Sequence, residues 1–561
     1  MKHTKKKAKG AVPRHRAPAH VRAGRLIREA RAKAREKARK EGGRTFESVF
    51  SGNRRGFGFA EDGKEGISVF LPASRTLGAL EGDRILVRCY PSSRERGKWE
   101  GEVLKVLETE SYRLTGTLVR ERIRGERGGR RYYVAPTSSR LPERIPVERT
   151  GGAREGDRVL LVIPRGDGDV YIERSFGPAD SLGANYEAIL EEAGIREEFD
   201  ASALREAEER AALPFSHEGR ERVTEFAFTM DSASAKDLDD AVSIEKTERG
   251  WLLGVHIADV SEYVRPKTPL DAAAMERGTS VYFADRVVPM LPPALSDGAC
   301  SLNAGEDKAV LSAYMELDPS GEILSARVVR GILRSRVRGV YAEINGVLDE
   351  GEASPYFEKY RAVYPALLVM REAARALSDR AERLGALDFE TPAAYILLDE
   401  EGMPTDILPW ERGESERMIE EFMLTANRAV ATLLHEREFP CVYRIHEAPV
   451  PEKLSDFLTY AHNLGLSTAQ IREGKVTAKD LALLLAEAEE KGLSRAVSYP
   501  LLRAMAKAKY SAEAHGHFGL SFPLYCHFTS PIRRLSDLAT HRIVKAVLLD
   551  GEAPEGYLRY A

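Results

Sequence analysis

Four cysteines in 561 residues, Cys89, Cys300, Cys441 and Cys526, are scattered with no C-x-x-C spacing, which excludes a disulfide framework and the ligand pattern of a structural zinc site. A reducing compartment fits. No apolar run approaches the roughly 18 residues of a membrane span, and the basic start is not followed by the apolar core of a secretory signal. A cytoplasmic protein without membrane contact is expected. Net charge is nearly absent at −3, yet residues 1–44 hold 17 Lys/Arg against 3 Asp/Glu, so this arm carries +14 and the remainder −17. The arm has too little apolar content to fold alone and reads as a disordered or helix-on-binding contact for a polyanion, nucleic acid first. A solubilising tail and an Arg-rich, acid-poor organelle transit peptide are the alternatives. The length and a hydrophobic content of 43% are those of a multidomain globular protein.

Against that background one segment concentrates chemistry. FTMDSASAKDLDDAV places Asp231, Asp237, Asp239 and Asp240 within ten residues. Carboxylates this close raise one another's pKa unless a cation sits among them. A divalent metal is the simplest answer, and oxygen ligands without nearby His or Cys favour Mg²⁺ or Mn²⁺ over zinc or copper. Phe226, Phe228 and Met230 alternate with polar positions, and Val242 and Ile244 resume the alternation, so the acids belong on a connection between two core strands. In an extended chain Asp237 and Asp239 share a face and Asp240 points away; the chain must bend for all of them to meet one ion. A solvated acidic loop or a calcium loop is the alternative, although the EF-hand spacing and its glycine are missing.

Residues 45 to 176 are strand-like and contain an internal echo: EGDRILV at 81–87 returns as EGDRVLLV at 155–162. Two β-units of about 70 residues follow from it, a size suited to two five-stranded barrels in tandem. In the first, Phe57 and Phe59 share a strand face beside Arg54 and Arg55, with Val69-Phe70-Leu71-Pro72 able to pair alongside, a platform on which unpaired bases stack. Core aromatics are the alternative, against which the interleaved glycines argue, since glycine is a poor strand residue unless something approaches closely. The second unit, with Tyr112, Tyr132 and Tyr133 among arginines, matches more weakly. A Glu- and Ala-rich helical linker spans about 184–213. From 220 to about 545, strand and helix signals mix without a βαβ alternation, which predicts one large α+β domain with helices at 365–385, 415–436, 477–491 and 534–549. The helix at 415–436 carries Glu420 and Glu421, one of which can point into a site. Late in the chain, Arg533 and Arg534 follow a Ser-Pro turn that begins a helix, where backbone N–H groups and an arginine fork suit a phosphate. A salt bridge from Arg533 to Asp537 is the competing role.

TMDSASAKDLDDAV, the run TSVYFADRVVPMLPPALSDGACSLN at 279–303, and HFGL with HFTSPIRR resemble the catalytic domain of the ribonuclease II and ribonuclease R family, the processive 3′-to-5′ exoribonucleases, and SVYF, CSLN and SPIRR look closer to the ribonuclease R branch. The resemblance covers about residues 45–550. It implies a multidomain chain: a basic arm (1–44), two N-terminal all-β OB-fold, cold-shock-like barrels (45–109 and 110–178), a helical linker (179–219) and a large α+β RNB catalytic domain (220–561). It implies that Asp231, Asp237, Asp239 and Asp240 bind Mg²⁺, that Asp239 and Asp237 are catalytic with Asp239 indispensable, and that Arg533 contacts the scissile phosphate. Tyr282 and Phe389 match the aromatics that stack on the final nucleotides, Tyr341 and Glu420 match positions near the terminal ribose, and Phe57, Phe59 and Arg55 belong to the barrel's RNA face. Single-stranded RNA is the implied partner, alongside RNA-degradation or ribosome-associated proteins, for a monomer that releases nucleoside 5′-monophosphates. The chain ends at Ala561 without the family's C-terminal RNA-binding barrel, from which weaker RNA binding and lower processivity are expected. Leu535 stands where the family commonly has Tyr. The competing function is an RNA-binding or chaperone protein with an inert catalytic domain.

Overall fold

The computed structural model describes residues 44–552 apart from 64–65, 93–97, 108–110, 123–129, 165–167, 225, 389–392, 400–402, 411, 470 and 472–474. The basic arm up to Gly43 and Phe389 therefore lie outside the described residues. Two compact units divide between Arg196 and Glu197, within the segment read as a linker.

In the first unit, strands β1 (Arg44–Val49), β2 (Ser51–Gly52), β3 (Gly58–Asp62), β4 (Ile67–Leu71), β5 (Arg84–Pro91) and β6 (Trp99–Val106) form a sheet in the order β1-β5-β6-β4-β3-β2. Only Phe50 separates β1 from β2, so one bent strand pairs with both ends of the sheet and closes it into a barrel, leaving few unpaired edges. The Phe50 ring fills the interior and lies against Gly58, where an added Cβ would stand 2.4 Å from it. The close approach that requires glycine between Phe57 and Phe59 thus comes from the protein's own core, not from a ligand. The second barrel, β7 (Ser111–Arg122), β8 (Arg130–Pro136), β9 (Ile145–Val147), β10 (Asp157–Pro164) and β11 (Tyr171–Pro178), has the order β11-β10-β7-β8-β9, with a bridge from Arg149 to Tyr171 joining its ends.

The echoed EGD segments form the same turn twice. Gly82 and Gly156 adopt φ of 86° and 91°, a region that favours glycine, and their N–H groups donate to the carbonyls of Phe50 and Leu118 at 2.9 and 2.8 Å. The following Asp83 and Asp157 each accept the amide three residues back, from Leu80 at 2.7 Å and Arg154 at 2.8 Å. Helix α1 (Leu182–Ala193) starts at the Ser181 cap, ends at left-handed Gly194 and packs on the second barrel, where Arg158 donates to Asn185 and Thr115 to Glu192.

The second unit begins with α2 (Ala201–Ala212). Strands β12 (Glu221–Arg222), β13 (Thr229–Asp231), β14 (Asp240–Thr247), β15 (Gly250–Ala258), β16 (Val281–Tyr282), β17 (Val287–Val288), β18 (Asp307–Leu317), β19 (Ile323–Arg334) and β20 (Arg338–Val340) follow. Five of them make a sheet in the order β12-β19-β18-β15-β14, β13 pairs in parallel with β20, and β16 pairs with β17. Helix α3 (Pro269–Arg277) lies between β15 and β16, and α4 (Tyr341–Glu350) continues from β20. One face of the sheet buries Leu253, Val255, Leu311 and Met315 against Leu367 and Met370 of α5 (Tyr364–Leu384) and Met418, Phe422 and Val430 of α6 (Glu414–Glu436). A second core holds α7 (Pro451–Asn463), α8 (Ala478–Glu490) and α9 (Ser494–Ala504) together through Phe457, Leu481 and Leu501. The last helix, α10 (Leu535–Ile543), runs into a π-helical turn over Val544–Leu549. Periodicity located α5, α6, α8 and α10; α3, α4, α7 and α9 went unread, and Pro500 inside α9 interrupts the pattern a helix is recognised by.

Candidate active site

The four aspartates occupy the connection between β13 and β14, as the alternation of apolar residues predicts. Asp231 ends β13 and accepts the Ser232 amide at 2.7 Å; Asp240 opens β14 opposite Ile257. Between them the chain turns at Ser232–Ala235, and Arg338 of β20 donates to the carbonyls of Ala233 and Ala235 at 2.9 and 2.6 Å. That bend carries the acids into one electrostatic cluster. Burial raises the Asp231 carboxyl above its ordinary pKa, and Asp237 adds to the rise. Burial pushes Asp240 up to about 7, with Asp231 contributing, and holds Asp239 well above the carboxylate range, with Asp237 and Asp240 acting the same way.

Asp239 is the most enclosed of the four, 3% exposed. Its Oδ1 accepts the Ile532 amide at 2.8 Å, its Oδ2 lies 3.5 Å from Nε of Arg533, and Oδ2 has no hydrogen-bond partner. Both Ile532 and Arg533 belong to the turn before α10. The bridge to Asp537 expected as an alternative for Arg533 belongs to Arg534, whose Nη2 meets Asp537 at 2.8 Å. Asp537, in the first turn of α10, also accepts the amide of Ser530 from the preceding turn, and the arginine fork is split between two roles. Of the two arginines it is Arg533 that pairs with Asp239, its side chain 43% exposed.

Tyr282, 55% exposed on β16, donates its hydroxyl to Asp237 Oδ2 at 2.8 Å. Tyr341 at the start of α4 has its phenol pKa raised by burial and then by Asp240 and Asp231, which places it beside the same cluster. Glu420 behaves differently: it is exposed on α6 and bonds Arg412 at 3.1 Å, and Arg412 also bonds Asp388. Its neighbour Glu421 is the more enclosed acid, lifted to about 7 by burial and by Glu420 and Asp388. Spacing alone could not separate the two, because adjacent positions on a helix differ only by which way the helix is rolled against the sheet.

The RNB domain family matches residues 220–550 and the Ribonuclease B OB domain family matches residues 48–106. The chain belongs to the RNB family. Ribonuclease R 1 of Lactococcus lactis subsp. lactis is 35% identical over 529 residues, 91% of this chain and 64% of that relative, and Ribonuclease R of Thermotoga maritima is 33% identical over 543 residues, 94% and 73%. The chain thus spans a little under two thirds of the length of the first. The fold is similar to that of Mycoplasma genitalium RNase R solved in complex with ribose-methylated single-stranded RNA, with a TM-score of 0.80 at 23% identity over 92% of this chain and 81% of that one. It is also similar to that of yeast Ssd1, described as a pseudonuclease, with a TM-score of 0.67 at 17% identity over 98% and 73%.

Within the RNB domain the donor chemistry fits a hard divalent ion: four clustered carboxylates, of which Asp231, Asp239 and Asp240 have raised pKa values, and a buried Asp239 Oδ2 without a hydrogen bond. As the side chains stand, no group of three His, Cys, Asp or Glu among the described residues converges as a ligand set. Asp237 and Asp239 are engaged instead by Tyr282, Ile532 and Arg533, so these carboxylates must rotate to close on an ion. In the OB barrel, Phe57 and Phe59 stand 6.1 Å apart and both contact Phe70 of β4, at 5.4 and 5.7 Å. Three rings therefore line this face, with Arg54 and Arg55 exposed nearby. Phe70 went unassigned from sequence, although its pairing with β3 was expected, and the register sets it directly opposite Phe59.

Proposed function

We propose that this RNB protein is a hydrolytic 3′-to-5′ exoribonuclease that degrades single-stranded RNA processively to nucleoside 5′-monophosphates, with Mg²⁺ as cofactor and Mn²⁺ as its substitute. The observation that carries the reading is Asp239, buried with one oxygen free of hydrogen bonds and set against Arg533 in a cluster with three further aspartates. The family and the relatives named Ribonuclease R support it. Asp231, Asp237, Asp239 and Asp240 would hold the ion, which supplies Lewis acidity and an activated water at neutral pH. Arg533 offers a half-exposed guanidinium to the phosphoryl oxygens as their charge develops. Tyr282 presents an exposed ring next to Asp237, where a terminal base can stack without its sequence being read. The Phe57, Phe59 and Phe70 face of the OB barrel offers rings on which bases stack in the same sequence-tolerant way.

Among the described residues no helix is long and apolar enough to cross a membrane, and the four cysteines are free thiols; we assign the protein to the cytoplasm. The competing reading, RNA binding without hydrolysis, is raised by the fold shared with a pseudonuclease, but fold alone does not distinguish the two. A 5′-labelled single-stranded RNA incubated with protein and Mg²⁺ decides between them: stepwise shortening from the 3′ end is expected, and a shifted but intact RNA would refute hydrolysis. Asp239→Asn should keep RNA affinity and lose turnover by roughly 100-fold or more; retained turnover would assign the chemistry to another carboxylate.

A further inference from the structure

The acidic loop has a second support that none of its own side chains supplies. Ser301, in the Cys300-Ser301-Leu302-Asn303 segment, is fully buried. Its hydroxyl donates to the carbonyl of Lys236 at 2.7 Å and accepts the amide of Leu238 at 3.2 Å. The next residue, Leu302, donates its amide to the Leu238 carbonyl at 3.0 Å. Residues 301–302 therefore satisfy the backbone on both sides of Asp237. Leu238 is itself 2% exposed and shares a hydrophobic core with Cys300, Leu295 and Leu302, which anchors the contact. Asp237 is left projecting from a backbone clamped at 236 and 238, with Tyr282 on its Oδ2.

We propose that Ser301 is a positioning residue for the acidic site, its hydroxyl holding the peptide units that flank Asp237 and so setting where the Asp237 carboxylate sits. The physical basis is that an irregular connection has no ladder partner for its buried amides and carbonyls, and a dry interior strongly favours geometries that satisfy them. A serine hydroxyl, donor and acceptor at once, supplies both bonds from one atom. Alanine supplies neither, and the loop must then turn its Lys236 carbonyl and Leu238 amide toward other partners, carrying Asp237 with them. The role rests on the exoribonuclease reading for its consequence in turnover, though not for its consequence in loop geometry.

The test compares Ser301→Ala with Ser312→Ala in the full chain. Ser312 is an equally buried hydroxyl, but its hydrogen bond goes to Nδ1 of His256 on β15. In Ser301→Ala, amide exchange across residues 236–239 should accelerate by about tenfold or more, because an amide's protection follows the bond that holds it. Turnover of single-stranded RNA should fall about 10- to 100-fold, the usual effect of losing a group that orients a ligand, while RNA affinity measured in EDTA stays the same. Ser312→Ala should change neither exchange at 236–239 nor turnover. Unchanged exchange and turnover in Ser301→Ala would overturn the proposal, as would equal turnover losses in both variants. If the wild-type protein does not shorten RNA, the exoribonuclease reading fails by itself, and Leu238 exchange still decides for or against the clamp. Should Ser301→Ala not fold, Ser301→Cys, whose thiol is only a weak donor and acceptor, should show a smaller rise in Leu238 exchange and a smaller fall in turnover, and no change in either would overturn the proposal.

Discussion

Asp240 and Asp239 set the pH behaviour of the site. Burial raises both carboxyls, Asp240 to about 7, whereas in the unfolded chain each titrates near the ordinary carboxylate value. Between those two limits the folded state holds more protons than the unfolded state, so without a bound cation stability falls as pH rises from about 4 to about 7. Asp240→Asn removes the Asp240 share of this dependence. In EDTA at pH 7.5 the variant should be more stable than wild type, by on the order of 1–3 kcal/mol, with the gain vanishing near pH 4; thermal or urea unfolding across pH measures it. A gain that persists at pH 4 would show that the carboxylate is not what destabilises the wild type. The same charges that burden the fold are those suited to a cation, which is how a functional site departs from the arrangement that would be most stable.

At the scale of elements, the first barrel combines closure and binding in one short stretch. Phe50 turns the bent strand inward and packs on Gly58, while Phe57 and Phe59 on either side face outward with Phe70. Two substitutions separate these roles. Phe57→Ala together with Phe70→Ala should weaken RNA binding by about 1–3 kcal/mol per stacked base, equally for different sequences, with little change in the melting temperature, as titration of labelled oligonucleotides would show. Gly58→Ala forces a methyl into the Phe50 ring and should lower stability by about 1–3 kcal/mol in denaturant unfolding. If Gly58→Ala instead weakened RNA binding at unchanged stability, the glycine would be serving a ligand after all.

Across the whole molecule, charge acts in two ways. Within the second unit, Arg220, Asp259, Glu262 and Lys545 form a network that ties the start of the domain to its last helical turn; Arg220 meets Asp259 at 2.7 Å and Lys545 meets it at 3.0 Å, with the Arg220 and Asp259 side chains 1% and 0% exposed. Lys545 and Arg220 together hold Asp259 far below the carboxylate range despite its burial. Asp259→Asn leaves two enclosed cations sharing Glu262 and should cost about 3–5 kcal/mol in denaturant unfolding; a loss under 1 kcal/mol would show that the network is solvated. At the other end of the chain, removing the basic arm, residues 1–44, should flatten the dependence of RNA affinity on salt, since each phosphate neutralised on a single strand contributes a slope of about 0.7. An unchanged slope would make the arm a solubilising tail.

What the sequence determined by itself is local. The alternation of Phe226, Phe228 and Met230 with Val242 and Ile244 put the aspartates between two strands, the repeated Glu-Gly-Asp marked two copies of one β-unit, each of which turns on its glycine, and periodicity outlined α5 and α6. In each case the force involved, strand pleat, glycine's freedom or the helical repeat, acts over a few residues and leaves its mark in spacing. Only the tertiary structure decided which groups meet. The Ile532 amide reaches Asp239 across 293 positions, Arg533 takes Asp239 while Arg534 takes Asp537, Ser301 clamps the chain around Asp237, and Glu421 is more enclosed than Glu420. These contacts are set by how the turn before α10, the 300–303 segment and α6 pack around the sheet. Packing of that kind is decided by the complementary shapes of distant side chains in a close-packed interior, and no local spacing records it.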